Sequence, residues 1–171
     1  MWQKLLAIII IFFIFALLQY SFFIHFKIFG ASPNLVFILF FLLVFFEKKN
    51  RSYQIIFLAV TAGIFLDIFS FTYLGPSITV LLIIGFLLKK IQSLLKNRED
   101  NYPFVYFLPF FIIFLIAYNL LLGLYFYFVD PNKIMMAFGL KTIFAIIYNL
   151  LIAFILFYVY KFLSVRMKFL R

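Results

Sequence analysis

The chain contains no cysteine, which excludes disulfides, thiolate metal sites and cysteine nucleophiles. Histidine is almost as scarce: His25 stands alone, and only five acidic residues occur in 171 positions. A metal centre usually draws on several His, Cys or carboxylate ligands. An aspartyl dyad needs two neighbouring carboxyls that share a proton. Here Asp67 is the one acid inside an apolar run, while Glu47, Glu99, Asp100 and Asp130 fall in the gaps. A Ser–His pair could recruit only His25, which sits beside Lys27 at the edge of a run, and no nucleophile-elbow sequence accompanies it. The six glycines are scattered, with no phosphate-cradling loop. These absences predict a protein that is not an enzyme and holds no metal or cofactor.

Charge is scarce as well. Charged residues make up 12% of the chain and hydrophobic ones 68%, with mean hydropathy +1.23. A soluble domain carries about twice that charged fraction. The net charge of +10 does not imply nucleic acid, because the basic residues flank apolar runs and leave no solvated basic stripe to dock a duplex. Orientation in a bilayer and contact with anionic lipids account for it better.

Apolar runs at 5–24, 33–46, 55–70, 75–88, 104–129 and 137–160 predict a single all-α integral membrane domain of six spans over residues 1–171. Twelve of the fifteen Lys and Arg residues then fall on one side. They are Lys4, then Lys48, Lys49 and Arg51, then Lys89, Lys90, Lys96 and Arg98, and finally Lys161, Arg166, Lys168 and Arg171. Lys27, Lys133 and Lys141 fall on the other. Basic residues near span ends are retained in the cytoplasm, so both termini and the second and fourth loops are expected there, in an inner membrane. The first run is about 20 residues, longer than the apolar core of a signal peptide, and no small-residue cleavage site follows it. It reads as an uncleaved helix.

Span length varies. Runs 34–46 and 76–88 are 13 residues each and reach only ~20 Å at 1.5 Å per residue, whereas run 104–129 reaches ~39 Å. Both short spans begin at prolines, Ser32-Pro33-Asn34 and Leu74-Gly75-Pro76, and proline suits a first helical turn because its missing N–H would be unpaired there anyway. Two readings follow. In one, the starts are recessed and shielded by helices 5 and 6 or line a hollow, since non-helical backbone at that depth must meet protein or water. In the other, apolar residues ahead of the prolines, such as Ile28 and Phe29, complete the crossing irregularly.

Asp67 lies ~20 Å along its span from Gln54. A carboxylate at a span centre costs about 2.5–3.5 kcal/mol on insertion scales. Ala59, Gly63 and Asp67 are four apart and share one helix face, where small residues admit a close neighbour. The carboxyl either ties the hairpin of helices 3 and 4 through N–H groups near Leu74–Ser77, or contacts a ligand or partner. Asn119 and Asn149 sit inside the two long spans, each within Tyr-Asn-Leu-Leu. They read as interhelical packing groups or, alternatively, as solute contacts.

Three segments resemble the MreD family of bacterial rod shape-determining membrane proteins. Ser32-Pro33-Asn34-Leu35-Val36 resembles that family's Pro-Asn-Leu start of helix 2. Ala62 to Ser70, containing Gly63 and Asp67 and followed by Leu74-Gly75, is similar to its Gly-hydrophobic-Asp segment and downstream Leu-Gly. Tyr148-Asn149-Leu150-Leu151 with a basic tail is similar to its last helix. The sequence departs from the family at Phe71-Thr72-Tyr73, bulkier than a small polar turn, and at Pro76-Ser77. The resemblance implies a non-enzymatic scaffold subunit of the cell-elongation machinery that builds peptidoglycan. Its partners would be an MreC-like bitopic membrane protein and a complex that includes MreB filaments, RodA and a class B penicillin-binding protein. It also implies similarity in fold to the S components of energy-coupling-factor transporters, which leaves a vitamin-binding transport subunit as the alternative.

Overall fold

The computed structural model describes residues 2–47, 52–70, 73–99, 103–129 and 140–169, with side chains described except at 95–99, 103–105, 140 and 163–169. Among these residues the chain is helical throughout, apart from short connections. Helix α1 (Trp2–Leu17) runs into a π-helical turn at Leu18–Phe22. Then come α2 (Leu35–Phe46), α3 (Ser52–Phe69), α4 (Pro76–Glu99), α5 (Pro103–Val129) and α6 (Leu140–Phe169). Among the described residues five helices are long and apolar enough to cross a membrane: Trp2–Phe22, Ser52–Phe69, Pro76–Leu94, Tyr106–Val129 and Lys141–Phe162. Large apolar side chains also cover their outer faces, such as Ile10, Ile14 and Leu17 on α1 and Leu151, Ile155 and Tyr158 on α6. A surface of that kind is matched to lipid rather than water. The molecule therefore fits a multi-pass membrane protein.

The exception in length is α2. Its 12 residues span ~18 Å, and ten of them are buried. Apolar all round, it occupies the centre of the bundle, as such a helix must. Its aromatic side chains interlock with α5: Phe41 meets Phe111 edge-on at 5.3 Å and Phe107 at 5.6 Å, and Phe45 meets Phe107 at 5.3 Å and 85°. Edge-to-face pairs contribute about 0.5–1.5 kcal/mol each beyond simple burial.

Contacts at the two ends of α2 orient everything else. Near its start lie Gln19 of the π-helical turn after α1, Tyr118 of α5 and Asn149 of α6. Near its end lie Phe107 of α5, Phe157 and Tyr160 of α6, and Gln92 of α4. On α3, Phe65 packs on Phe13 and Phe69 on Tyr20, so α1 and α3 run parallel. The six helices thus alternate in direction through the bundle.

Several boundaries differ from the sequence reading. Pro33 is not in a helical turn: α2 begins at Leu35 with Asn34 as its N-cap, because the Asn34 Oδ1 accepts the Phe37 N–H at 3.0 Å. An asparagine oxygen placed there holds the first turn more firmly than proline could. Helix α4 is not short. It starts at Pro76 but continues to residue 99, 24 residues in all, so Lys89, Lys90, Lys96, Arg98 and Glu99 are helical rather than loop residues. The apolar run stops at Leu88, yet the helix goes on because Lys89 and Gln92 have buried work to do. The Lys89 Nζ donates to the Glu47 carbonyl at 2.5 Å and to Gln92 Oε1 at 2.9 Å, while Gln92 Nε2 donates to the Phe45 carbonyl at 3.0 Å. These side chains satisfy carbonyls that the end of α2 leaves without helical partners. Lys48, Lys49, Arg51, Asp100, Asp130, Lys133 and Arg171, together with Phe71, Thr72 and residues 137–139 of the sixth run, lie outside the described residues.

Candidate functional site

A helix that starts inside a bundle exposes N–H groups with no helical acceptor, and in an apolar environment each unmet group costs several kcal/mol. Helices α2 and α4 both start this way, and Gln19, Asp67, Ser77 and Asn149, all buried, gather around the two starts.

At α4, Pro76 is the first helical residue and has no N–H to satisfy. The flanking donors belong to Gly75 and Ser77. Both go to Asp67 of α3: Oδ2 accepts from Gly75 N at 2.7 Å and Oδ1 from Ser77 N at 3.1 Å. The carboxyl is fully buried. Gly75 adopts φ +123°, a conformation open essentially to glycine alone, and this turns its N–H toward the carboxyl. Close approach of the two helices makes the contact possible. A Cβ on Gly63 would stand 2.6 Å from the Ile78 backbone N and Cα, so only glycine lets α4 lie this near. Ala59, on the same face, is also fully buried.

At α2, three acceptors meet the early N–H groups. Asn149 Oδ1 of α6 takes Asn34 N at 2.7 Å, Gln19 Oε1 from the π-turn takes Val36 N at 3.2 Å, and Asn34 caps Phe37. The other end of the Asn149 amide donates to the Ala145 carbonyl at 2.7 Å, which holds it in orientation. Tyr118 stands between the two starts, with its hydroxyl close to the side chains of Ser77 and Asn34. Tyr20 extends the layer, close to the side chains of Gln19 and Ser70. Asp67, Ser77, Tyr118, Asn34, Asn149 and Gln19 gather in one polar layer drawn from the π-helical turn and the other five helices.

Asn119 stands apart. The sequence favours it as an interhelical group, yet it is exposed, and its Nδ2 returns to the Leu115 carbonyl of its own helix at 2.9 Å. The two Tyr-Asn-Leu-Leu segments face opposite ways. In α5 the tyrosine points inward and the asparagine outward, whereas in α6 Asn149 is buried. His25 lies exposed in the turn after the π-helix. The tie from Asp67 to N–H groups within Leu74–Ser77 is the one the sequence suggested, whereas Gln19, Tyr118 and Gln92 were missed by the sequence reading. Gln19 carried a signal, as the one amide inside the first apolar run. Tyr118 carried none, because an aromatic residue in an aromatic-rich helix is unremarkable until its hydroxyl has partners.

Beside the layer lies a cavity of about 290 Å³. Gln19, Asn34 and Asn149 line its inner part, Asn119 and Tyr20 its walls, and Lys27 and Ser32 its exposed rim. The connection between α1 and α2 forms that rim. It turns through Ile28 and Ala31, which exchange backbone hydrogen bonds of 2.9 and 3.0 Å around Phe29 and Gly30, both at positive φ. Phe29 stacks on Phe144 of α6 at 4.1 Å, and this contact holds a bulky residue in a backbone region it otherwise avoids. Of the two readings of this segment, the irregular backbone does line a hollow beside α5 and α6. No grouping of three His, Asp or Glu side chains suited to a metal ion occurs among the described residues.

No protein-family model, curated protein or solved structure matches this chain.

Proposed function

We propose that the chain is a non-enzymatic scaffold subunit of the bacterial cell-elongation complex, of the MreD type, with six membrane spans. One observation carries this reading. The three segments that resemble the family are far apart in sequence, yet they meet in one place. Asn34 donates its backbone N–H to Asn149, and Tyr118 stands close both to Asn34 and to Ser77, whose N–H goes to Asp67 beside the Gly63–Ile78 approach. Chance matches between apolar sequences have no reason to converge on the starts of two recessed helices. The layer also uses its polar groups to close helix ends, which suits a rigid body presenting its faces to other membrane helices.

In this reading both termini and the Lys89 end of the bundle are cytoplasmic, where basic residues meet anionic lipid. The polar layer then lies toward the outer face of the inner membrane. The principal partner is an MreC-like bitopic protein, within a complex that includes MreB, RodA and a class B penicillin-binding protein. The test is co-purification of the tagged chain with an MreC-like transmembrane protein from cells that express both, through detergent extraction. Retention on the affinity resin, with loss of rod shape on depletion, is the expected result. Absence of any such capture would remove the reading.

The cavity beside Asn34 and Asn149 favours a second reading, a solute-binding subunit of a vitamin transporter, because ligand sites combine enclosure with a few convergent polar groups. Calorimetry with water-soluble vitamins separates the two. Nanomolar binding without MreC capture would select the transport reading.

A further inference from the structure

The cavity at the start of α2 has a charge character that neither reading uses. We infer that it is a site for the headgroup of an anionic phospholipid, phosphatidylglycerol being the chemistry that fits best. This inference rests on the cavity and not on the identity of any partner.

Among the described residues no Asp or Glu lines the hollow, while Lys27 does. Among the described residues Lys27 forms no ion pair, and both it and Ser32 line the hollow at exposed positions. The first turn of the 12-residue α2 faces the same space through Asn34, which adds the positive end of a helix dipole to the ammonium. A phosphate set between Lys27 and Ser32 would receive charge-assisted hydrogen bonds, roughly twice as strong as neutral ones. Farther along the wall, Asn119 spends its Nδ2 on Leu115, so its carbonyl oxygen is the end left to accept. A glycerol headgroup carries hydroxyls that donate there. The Gln19, Asn34 and Asn149 oxygens are already engaged with backbone N–H groups and serve as a fixed polar floor.

The surroundings point to an amphiphile rather than a free solute. Ile24, Phe26, Ile28 and Phe29, at or beside the rim, are 43, 56, 44 and 73% exposed. A soluble phosphoester would leave that apolar rim unmet, whereas acyl chains emerging from the mouth would lie against it. The volume, about 290 Å³, suits a headgroup and not a whole lipid.

The test uses the full chain, stripped of lipid and titrated in detergent with phosphatidylglycerol or phosphatidylcholine, with binding read by native mass spectrometry. Phosphatidylglycerol is expected to bind about tenfold more tightly than phosphatidylcholine. Lys27→Gln, at an exposed position, should erase that preference, and Ala145→Phe should do so by filling the hollow. Lys4→Gln, at the opposite end of the bundle, should leave it intact. If Ala145→Phe does not fold, Lys27→Gln and Asn119→Leu still decide the matter, the latter through an expected ~3-fold loss. An undiminished preference in Lys27→Gln would overturn the site. Glycerol 3-phosphate binding with the same dependence on Lys27, without phosphatidylglycerol retention, would overturn the lipid assignment in favour of a soluble phosphoester.

Discussion

Asp67 caps a helix to which it does not belong. Its two oxygens accept the N–H groups of Gly75 and Ser77 at 2.7 and 3.1 Å, on either side of the first residue of α4. A local N-cap would come from the residue just before the helix, but that residue is Gly75, which has no side chain. The acceptor therefore comes from α3, and the α3–α4 hairpin is held by side chain as well as by packing. A buried carboxyl with both oxygens engaged is better explained by this role than by waiting for a ligand.

Asp67→Leu should leave both N–H groups buried without acceptors, at a cost of about 1–3 kcal/mol for each. Asp67→Asn keeps one acceptor oxygen and should lose roughly half as much. Thermal unfolding in detergent, with membrane expression level alongside, checks the order wild type, Asn, Leu. Equal stability of Leu and wild type would show that the carboxyl does not hold the hairpin.

Gly63 and Gly123 should answer an alanine substitution in opposite senses. At Gly63 the new Cβ meets Ile78 backbone at 2.6 Å, and overpacking against backbone costs about 1–3 kcal/mol. At Gly123 nothing lies within 4 Å, so Gly123→Ala should be neutral or stabilise by up to ~1 kcal/mol through helix propensity. The same melting experiment reads both variants.

The two asparagines within Tyr-Asn-Leu-Leu should likewise separate. Asn149→Leu orphans the Asn34 N–H in the interior, a loss of about 1–3 kcal/mol. Asn119 is exposed and bonds only within α5, so Asn119→Leu should change stability by less than ~0.5 kcal/mol. Matching destabilisation by the two would contradict the opposed facing of α5 and α6.

The proposed orientation is open to reporter fusions. Cytoplasmic reporters should be active after Arg51, Arg98 and Arg171, and periplasmic reporters after Lys27 and Lys133. A periplasmic signal from the Arg98 fusion would break the six-span arrangement, because the basic cluster on the second half of α4 would then lie outside.

Much of this protein is written locally. Long apolar runs with almost no charge can be nothing but helices packed together or facing lipid, since unpaired backbone is too costly there. That reasoning is enough for the all-helical class, for the existence of each helix, and for the shared face of Ala59, Gly63 and Asp67, which follows from a spacing of four. Tertiary structure decided where the helix ends find their partners. Nothing in the run 76–88 says that α4 continues to Glu99, because Lys89 and Gln92 look like solvated residues until the carbonyls of Phe45 and Glu47 stand beside them. Nor does Tyr-Asn-Leu-Leu reveal which residue turns inward. In a helix apolar on every side the hydrophobic pattern has no phase, so burial is assigned by the neighbours. Asn149 is buried because Asn34 lies opposite it, and Asn119 is exposed because Tyr118 takes the inward place.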